Sequence, residues 1–234
     1  MSAEEIVPGV WGVSQGYVSA FVVAGDGITL VDTGLAKKID SLKRSLVAAK
    51  LDGFRDIVLT HHHLDHTGGV AALVASSGAR VWAHPSDARV VRGEVPAPDP
   101  APRNPLERLG VSVIQRVGPK GSPARVDQEV RDEEVLPVAG GLIAYHTPGH
   151  TMGHVSYLLP GKRVLFVGDA AANMLGRLSP PVGFYTEDHQ AVRSSIARLA
   201  MLDFDVACFG HGRVLKGGAA AKFRRLAEKV SPRR

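Results

Sequence analysis

Residues 60–66 read Thr-His-His-His-Leu-Asp-His, directly after the apolar run Ile57-Val58-Leu59. That run reads as a buried strand. In an extended segment alternate side chains share a face, so His61 and His63 point the same way. Asp65 and His66 fall where Thr67-Gly68-Gly69 begins a helix, and they can turn toward the same point from the other side. Four nitrogen and oxygen donors this close repel one another in an apolar core, but they suit a borderline cation such as zinc. A polar strand end with solvated histidines is the plain alternative, and it stands or falls on whether the chain supplies more ligands.

It does. Three further pieces each follow a strand-like run: Thr147-Pro148-Gly149-His150, Phe166-Val167-Gly168-Asp169 and Cys208-Phe209-Gly210-His211-Gly212. Glycine beside each donor lets the backbone turn sharply and approach a ligand closely. Any one of these pieces is weak evidence. Together they extend the candidate ligands to His61, His63, Asp65, His66, His150, Asp169 and His211. Upstream, Leu30-Val31-Asp32-Thr33-Gly34 also ends a strand on a carboxylate.

The bulk numbers bound the rest. The chain has 234 residues, 44% of them hydrophobic and 22% charged, a composition typical of a globular domain with one large core. No apolar run approaches membrane-spanning length. The start, Met-Ser-Ala-Glu-Glu, lacks the pattern of a secretory signal. Cys208 is the sole cysteine, so no internal disulfide can form, and a reducing, cytoplasmic location is expected. Within Asp205–Phe209 it reads as an inert core thiol. The net charge of +5 raises the question of nucleic acid. Much of the excess lies in Lys222, Arg224, Arg225, Lys229, Arg233 and Arg234, on a helix whose inner face is Phe223, Leu226, Ala227 and Val230. A solvated helix face accounts for it, so a nucleic-acid partner is not expected.

In chain order, Val7–Val13, Tyr17–Ala24 and Ile28–Val31 read as strands, with Gly-Asp-Gly at 25–27 as a hairpin turn. Leu35–Lys50 has helical spacing, Phe54–Leu59 is a strand, Gly69–Ser76 a small-residue helix and Val81–Ala83 a short strand. Between about 93 and 125 the prolines at 96, 98, 100, 102, 105, 119 and 123 predict a long loop without regular structure. Its place between two ligand-bearing regions suggests a lid. Strands follow at Glu134–Val138, Leu142–His146, Val155–Leu159 and Arg163–Val167. A helix over Glu187–Leu202 with Thr186 as its N-cap comes next, then a strand at Asp205–Phe209 and the basic helix. Strands followed by helix in each half, with no linker between, predict one domain over 1–234 built from two packed sheets with helices outside.

The order Asp32, His-x-His-x-Asp-His at 61–66, His150, Asp169 and His211 resembles the metallo-β-lactamase superfamily over essentially the whole chain. The resemblance implies an α/β fold, a four-layer αββα sandwich with metals at one edge. It implies that His61, His63 and His150 hold one metal and Asp65, His66 and His211 the other, with Asp169 bridging. Two Zn2+ ions are the implied cofactors, and one Fe2+ is the alternative. A hydroxide between the two metals would attack a carbonyl. Asp65 would take its proton and Asp32 would orient ligands. Those two are the catalytic candidates. Of the remaining histidines, His62 is expected to face away and His154 to support the site, while His84, His146 and His189 have no spacing argument.

Fold resemblance alone does not decide the reaction. Class B β-lactamases carry cysteine or serine where Asp169 stands, so β-lactam turnover is expected to be weak and promiscuous. Hydroxyacylglutathione hydrolases share the Thr-Pro-Gly-His-Thr-x-Gly-His stretch at 147–154 and the bridging aspartate. The segment after His211 has room for one helix only, so their glutathione-binding helical domain is expected to be absent. The expected activity is a dinuclear zinc hydrolase of an ester, thioester or lactone. A mono-iron persulfide dioxygenase is the main alternative, and a phosphodiesterase or nuclease a lesser one. Met174, Leu175, Leu178, Val182, Phe184 and Tyr185 are expected to form an apolar wall for the acyl group.

Overall fold

The structure is a computed structural model that describes residues 1–102, 104–118, 121–181 and 183–231. Pro119, Val182, Arg233 and Arg234, singled out above, lie outside the described residues.

Period-two alternation along the strands creates the layers. In the first sheet the strands are β1 (Ala3–Val7), β2 (Val10–Ser14), β3 (Ser19–Ala24) and β4 (Ile28–Val31), which run antiparallel in sequence order. After helix α1 (Ile39–Ala48) comes β5 (Phe54–Val58). Then follow α2 (Leu64–Thr67), α3 (Val70–Ser77), β6 (Arg80–Ala83), α4 (Pro85–Val91), α5 (Pro105–Val117) and β7 (Gln128–Glu129). Strands β5, β6 and β7 continue the same sheet in parallel, as helical crossovers require.

The second sheet has six strands, in the order Leu215–Lys216 (β15), Val206–Phe209 (β14), Val164–Gly168 (β11), Val155–Leu159 (β10), Leu142–His146 (β9) and Val135–Leu136 (β8). Its strands in chain order are β8 (Val135–Leu136), β9 (Leu142–His146), β10 (Val155–Leu159) and β11 (Val164–Gly168). A separate hairpin of β12 (Ala172–Met174) and β13 (Arg177–Ser179) follows. Helix α6 (His189–Leu199), β14 (Val206–Phe209), β15 (Leu215–Lys216) and α7 (Ala219–Val230) complete the chain.

Three separate cores hold four layers together. Phe21, Val31 and Val58 from the first sheet meet Tyr157, Phe166 and Cys208 from the second. On the outer face of the first sheet, Leu30 and Ile57 pack against Leu42 and Leu46 of α1 and Leu73 of α3. On the outer face of the second, Leu165 and Ala207 pack against Ile196 of α6 and Phe223 of α7. Adjacent residues such as Ile57 and Val58 therefore serve different cores. The result is the αββα sandwich.

Four local expectations need correction. The strand expected over Val7–Val13 is two strands, because Pro8 cannot donate to a ladder and Gly9 turns at φ +76. The stretch around 93–125 contains α5, thirteen residues long. Its prolines mislead because Pro105 stands where a helix begins, and Asn104 Oδ1 accepts the Glu107 N–H at 2.9 Å. Asp188, not Thr186, caps α6, its carboxylate accepting from the N–H groups of Gln190 at 2.7 Å and Ala191 at 2.9 Å. Strand β5 ends at Val58, so His61 and His63 lie beyond it, in coil.

Candidate metal centre

The loops that end β4 and β5, the start of α2, and the loops after β9, β11 and β14 meet at one edge of the sandwich. All seven candidate ligands come together there, in three overlapping groups: His61–His63–His150, His61–His66–Asp169 and Asp65–His66–His211. Within each group the donor atoms lie within 4.8 Å of one another, a spacing suited to a metal ion.

Hydrogen bonds fix which nitrogen of several rings faces inward. Asp32, at φ +57, accepts from Thr60 N at 2.8 Å and Thr60 Oγ1 at 2.7 Å. The same carboxylate takes the Nδ1–H of His66 at 2.8 Å, which leaves Nε2 facing the site. Because the Thr60 hydroxyl donates to Asp32, its oxygen accepts the Nδ1–H of His61 at 3.0 Å, again turning Nε2 inward. His211 donates Nδ1–H to Tyr17 O at 2.8 Å, and its Nε2 stands 3.1 Å from Asp169 and 3.4 Å from Asp65. His63 Nδ1 lies 3.1 Å from His61 Nε2 and 3.0 Å from His150 Nε2.

Charge divides the cluster. Burial, reinforced by the neighbouring histidines, lowers His61 and His63 well below the usual imidazole value. Burial also takes His150 down to about 4 despite Asp169. For His66 burial opposes protonation, yet Asp169 and Asp32 outweigh it and raise the ring to about 9. His211 is likewise raised to about 11 by Asp169 and Asp65 against burial. Asp169 is buried, which would raise it, but His66, His211 and His150 hold it far below the carboxylate range. Asp65 is lowered in the same way by His211 and His66.

The supporting residues were only partly visible in the sequence. His154 accepts the Asp169 N–H at its Nε2, 2.9 Å away, and shares its Nδ1 proton with Thr147 Oγ1 at 2.8 Å. A Cβ at Gly168, where φ is +56, would stand 2.6 Å from that Nε2. His62 belongs to none of the three ligand groups: it lines the same cavity and packs against His63, but its Nδ1 lies 3.2 Å from Asp87. Asp87 itself was missed. The signal was His84-Pro85-Ser86-Asp87, where Pro85 opens a short helix capped by the His84 side chain. Tyr17 was missed as well. It stacks on His211 at 5.7 Å, while Tyr185 sets its edge against His63 at 5.6 Å. Burial raises both phenols, Tyr17 to about 12, so both stay protonated at neutral pH.

The centre forms the floor of a cavity of about 970 Å³. Val90, Val91, Pro98, Pro100, Val117 and Ala124 give it one apolar wall. Met174, Phe184 and Tyr185 line it as expected, but Leu175 is exposed and Leu178 packs into the outer core with α6 and α7. The proline-rich segment thus borders the site, and Ala101 N–H donates to Phe184 O at 3.1 Å, joining two lining segments.

The sequence profile of the metallo-beta-lactamase superfamily matches residues 13–211. The chain belongs to that superfamily. Among superfamily relatives, probable metallo-hydrolase YybB of Bacillus subtilis is 28% identical over 192 residues, 82% of this chain and 79% of that protein. The hydroxyacylglutathione hydrolase of Chromohalobacter salexigens is 30% identical over 90% of this chain and 66% of its own length. Its Pseudomonas aeruginosa counterpart is 34% identical over 74% of this chain, which spans about half of that enzyme. A metallo-beta-lactamase family protein of Thermus thermophilus superposes with a TM-score of 0.70 at 27% identity, covering 97% of this chain and 79% of that one. A Cronobacter sakazakii metallo-beta-lactamase superposes equally well, with a TM-score of 0.70 at 26% identity over 91% of this chain and 81% of that one. Superfamily membership and these hydrolase relatives make the chain a metallo-hydrolase by family.

Proposed function

We propose that the protein is a dinuclear zinc hydrolase that cleaves an ester, thioester or lactone carrying an apolar acyl group. The observation that carries this reading is the position of Asp169 between two ligand groups in a largely apolar cavity: its carboxylate lies 3.4 Å from His150 of one group, and 3.5 Å from His66 and 3.1 Å from His211 of the other. The donors fit dications. His61, His63 and His150 are neutral imidazoles, the form a metal requires, and their nitrogens approach to 3.0–3.1 Å. Asp169 Oδ1 is buried without a hydrogen bond. In this reading His61, His63 and His150 would hold one ion, Asp65, His66 and His211 the other, and Asp169 would face both.

When bound, such a pair supplies Lewis acidity and brings the ionisation of water near neutral pH. The protein's own groups do the rest. Asp65, ionised and facing the cavity, is placed to hold a proton released from attacking water. The protonated phenols of Tyr17 and Tyr185 line the cavity and can donate to a substrate oxygen. The walls are mostly apolar, with Lys37 and Asp99 the charged residues of the lining outside the metal centre, and their apolar part favours an uncharged chain, since burying a charge there is costly.

The test is metal content followed by a panel of substrates. We expect two zinc ions per chain. On zinc-loaded enzyme, kcat/KM should be higher for hydrophobic lactones or thioesters than for S-lactoylglutathione, and both should exceed penicillins and cephalosporins. A β-lactam at the head of the panel, or activity confined to phosphodiesters, would overturn the assignment. One observation favours a second reading. His61, His66 and Asp169 form a two-histidine, one-carboxylate group of the kind that holds non-haem iron. One iron per chain with substrate-dependent oxygen consumption would establish the persulfide dioxygenase instead.

A further inference from the structure

We propose that Asp87 is a positioning residue that sets the distance between the His61–His63 loop and the His150 loop. It would thereby shape the three-histidine group for its ion. The inference rests on the metal-binding reading above.

Asp87 lies on α4, is 3% exposed and touches none of the three histidines' inward nitrogens. Its Oδ2 accepts from the main-chain N–H of His62 at 2.8 Å and from Thr151 Oγ1 at 2.7 Å. Its Oδ1 accepts from Gly153 N–H at 2.9 Å. His62 separates His61 from His63, and Thr151 follows His150. One carboxylate therefore bonds one residue away from each member of the group. The approach is as close as a backbone allows, because a Cβ on Gly153 would stand 2.2 Å from Asp87 Oδ1.

The chemistry of the joint calls for a carboxylate. Three donors converge on two oxygens, and an asparagine would turn an amide N–H toward at least one of them. Burial would raise the Asp87 carboxyl, but the His62 ring, with the hydrogen bonds from Thr151 and the His62 main chain, holds it below the usual carboxylate value. The main-chain bond from Val155 N to Thr60 O also links the two loops, but it lies on the far side of His61 from His63. Asp32 performs a parallel task for His66 and His61. Asp87 does it for the pair that Asp32 does not reach, His63 and His150.

A carboxylate that merely supported the fold would affect thermal stability and nothing else. The experiment separates the two roles by measuring affinity in chain that is fully folded. Metal-free wild type, Asp87→Asn, Thr151→Val and Thr151→Ser are titrated with Zn2+ against a chromophoric chelator, well below their melting temperatures. The visible spectra of the Co2+ forms are recorded in parallel. Wild type should take up two equivalents. Asp87→Asn should keep one tight equivalent and bind the other about 10–100-fold more weakly, the range seen when outer partners of metal ligands are lost. Its Co2+ spectrum should change for that equivalent alone. Thr151→Val should shift affinity the same way by less, and Thr151→Ser, which restores the hydroxyl, should return to wild type. If Asp87→Asn does not fold, the Thr151 pair decides. Two equally tight equivalents and unchanged spectra in every folded variant would overturn the role of Asp87 while leaving the metal reading intact. A wild type that binds no dication would overturn the metal reading first.

Discussion

At the scale of single residues, Asp32 and Gly168 show how groups outside the ligands hold the centre's geometry. Asp32 bonds Thr60, and through it His61, while holding His66 directly. Asp32→Asn should therefore weaken both ligand groups, with metal affinity falling about 10–100-fold by chelator competition. Unchanged affinity would show that these rings are oriented by packing alone. Gly168→Ala meets His154 Nε2 at 2.6 Å and Thr60 Cβ at 2.7 Å in a left-handed backbone. It should cost at least about 1–3 kcal/mol of stability, read in urea melts of the metal-free protein. His62→Ala keeps the main-chain donor to Asp87, so metal content should stay near wild type while the melting temperature drops, because a buried ring is lost. The ligand candidates were legible because their chemistry is written in residue type and spacing. Asp87 and Tyr17 were not, because an aspartate on a short helix and a tyrosine in a turn look ordinary until distant loops close on them.

At the scale of elements, legibility followed hydrophobic period. Strands β3, β4, β9, β10 and β11 and helices α1, α6 and α7 were readable within a few residues, since their apolar positions repeat at two or near 3.6. Helix α5 was hidden by the prolines on either side of it, although Asn104-Pro105-Leu106-Glu107 is a start signal when read for position rather than count. The two-residue pairings of β7, β8 and β15 are too short to show any period. Helix α5 buries Val111, while Leu106, Leu109, Val113 and Val117 are exposed, so its own cap matters more than for a packed helix. Asn104→Ala should weaken it by about 1 kcal/mol. Hydrogen exchange should quicken over 105–117 and not in β5 or β11. Equal quickening in those strands would show instead that α5 is integral to the central core.

For the whole molecule, the divided charge of the centre predicts how stability depends on pH and how metal changes that dependence. In the metal-free protein His150 and His154 are lowered to about 4 from an ordinary value of 6.5, and His61 and His63 are lowered as well. Between about 6.5 and 4 the unfolded chain takes up protons that the folded one refuses, so stability falls as pH drops. Lowered Asp169, Asp65 and Asp87 extend that fall below 3.8. On the alkaline side the sign reverses. His66, raised to about 9, and His211, raised to about 11, keep protons that the unfolded chain has released above 6.5. Their contribution is complete below 6.5 and is lost as pH rises through those values. The metal-free protein should therefore be most stable between about pH 6 and 7. Each limb should lower the melting temperature by several degrees, since about 1 kcal/mol corresponds to roughly 2–4 °C in a chain of this size. A dication coordinated by His66 and His211 would displace those protons, so the zinc-loaded protein should lose the alkaline limb and release protons on binding at pH 8. Paired thermal melts of chelated and zinc-loaded protein, with calorimetry in buffers of different ionisation enthalpy, measure both effects. Identical alkaline limbs with and without zinc would mean that His66 and His211 keep their protons, and the two-ion assignment of the centre would fall with that result.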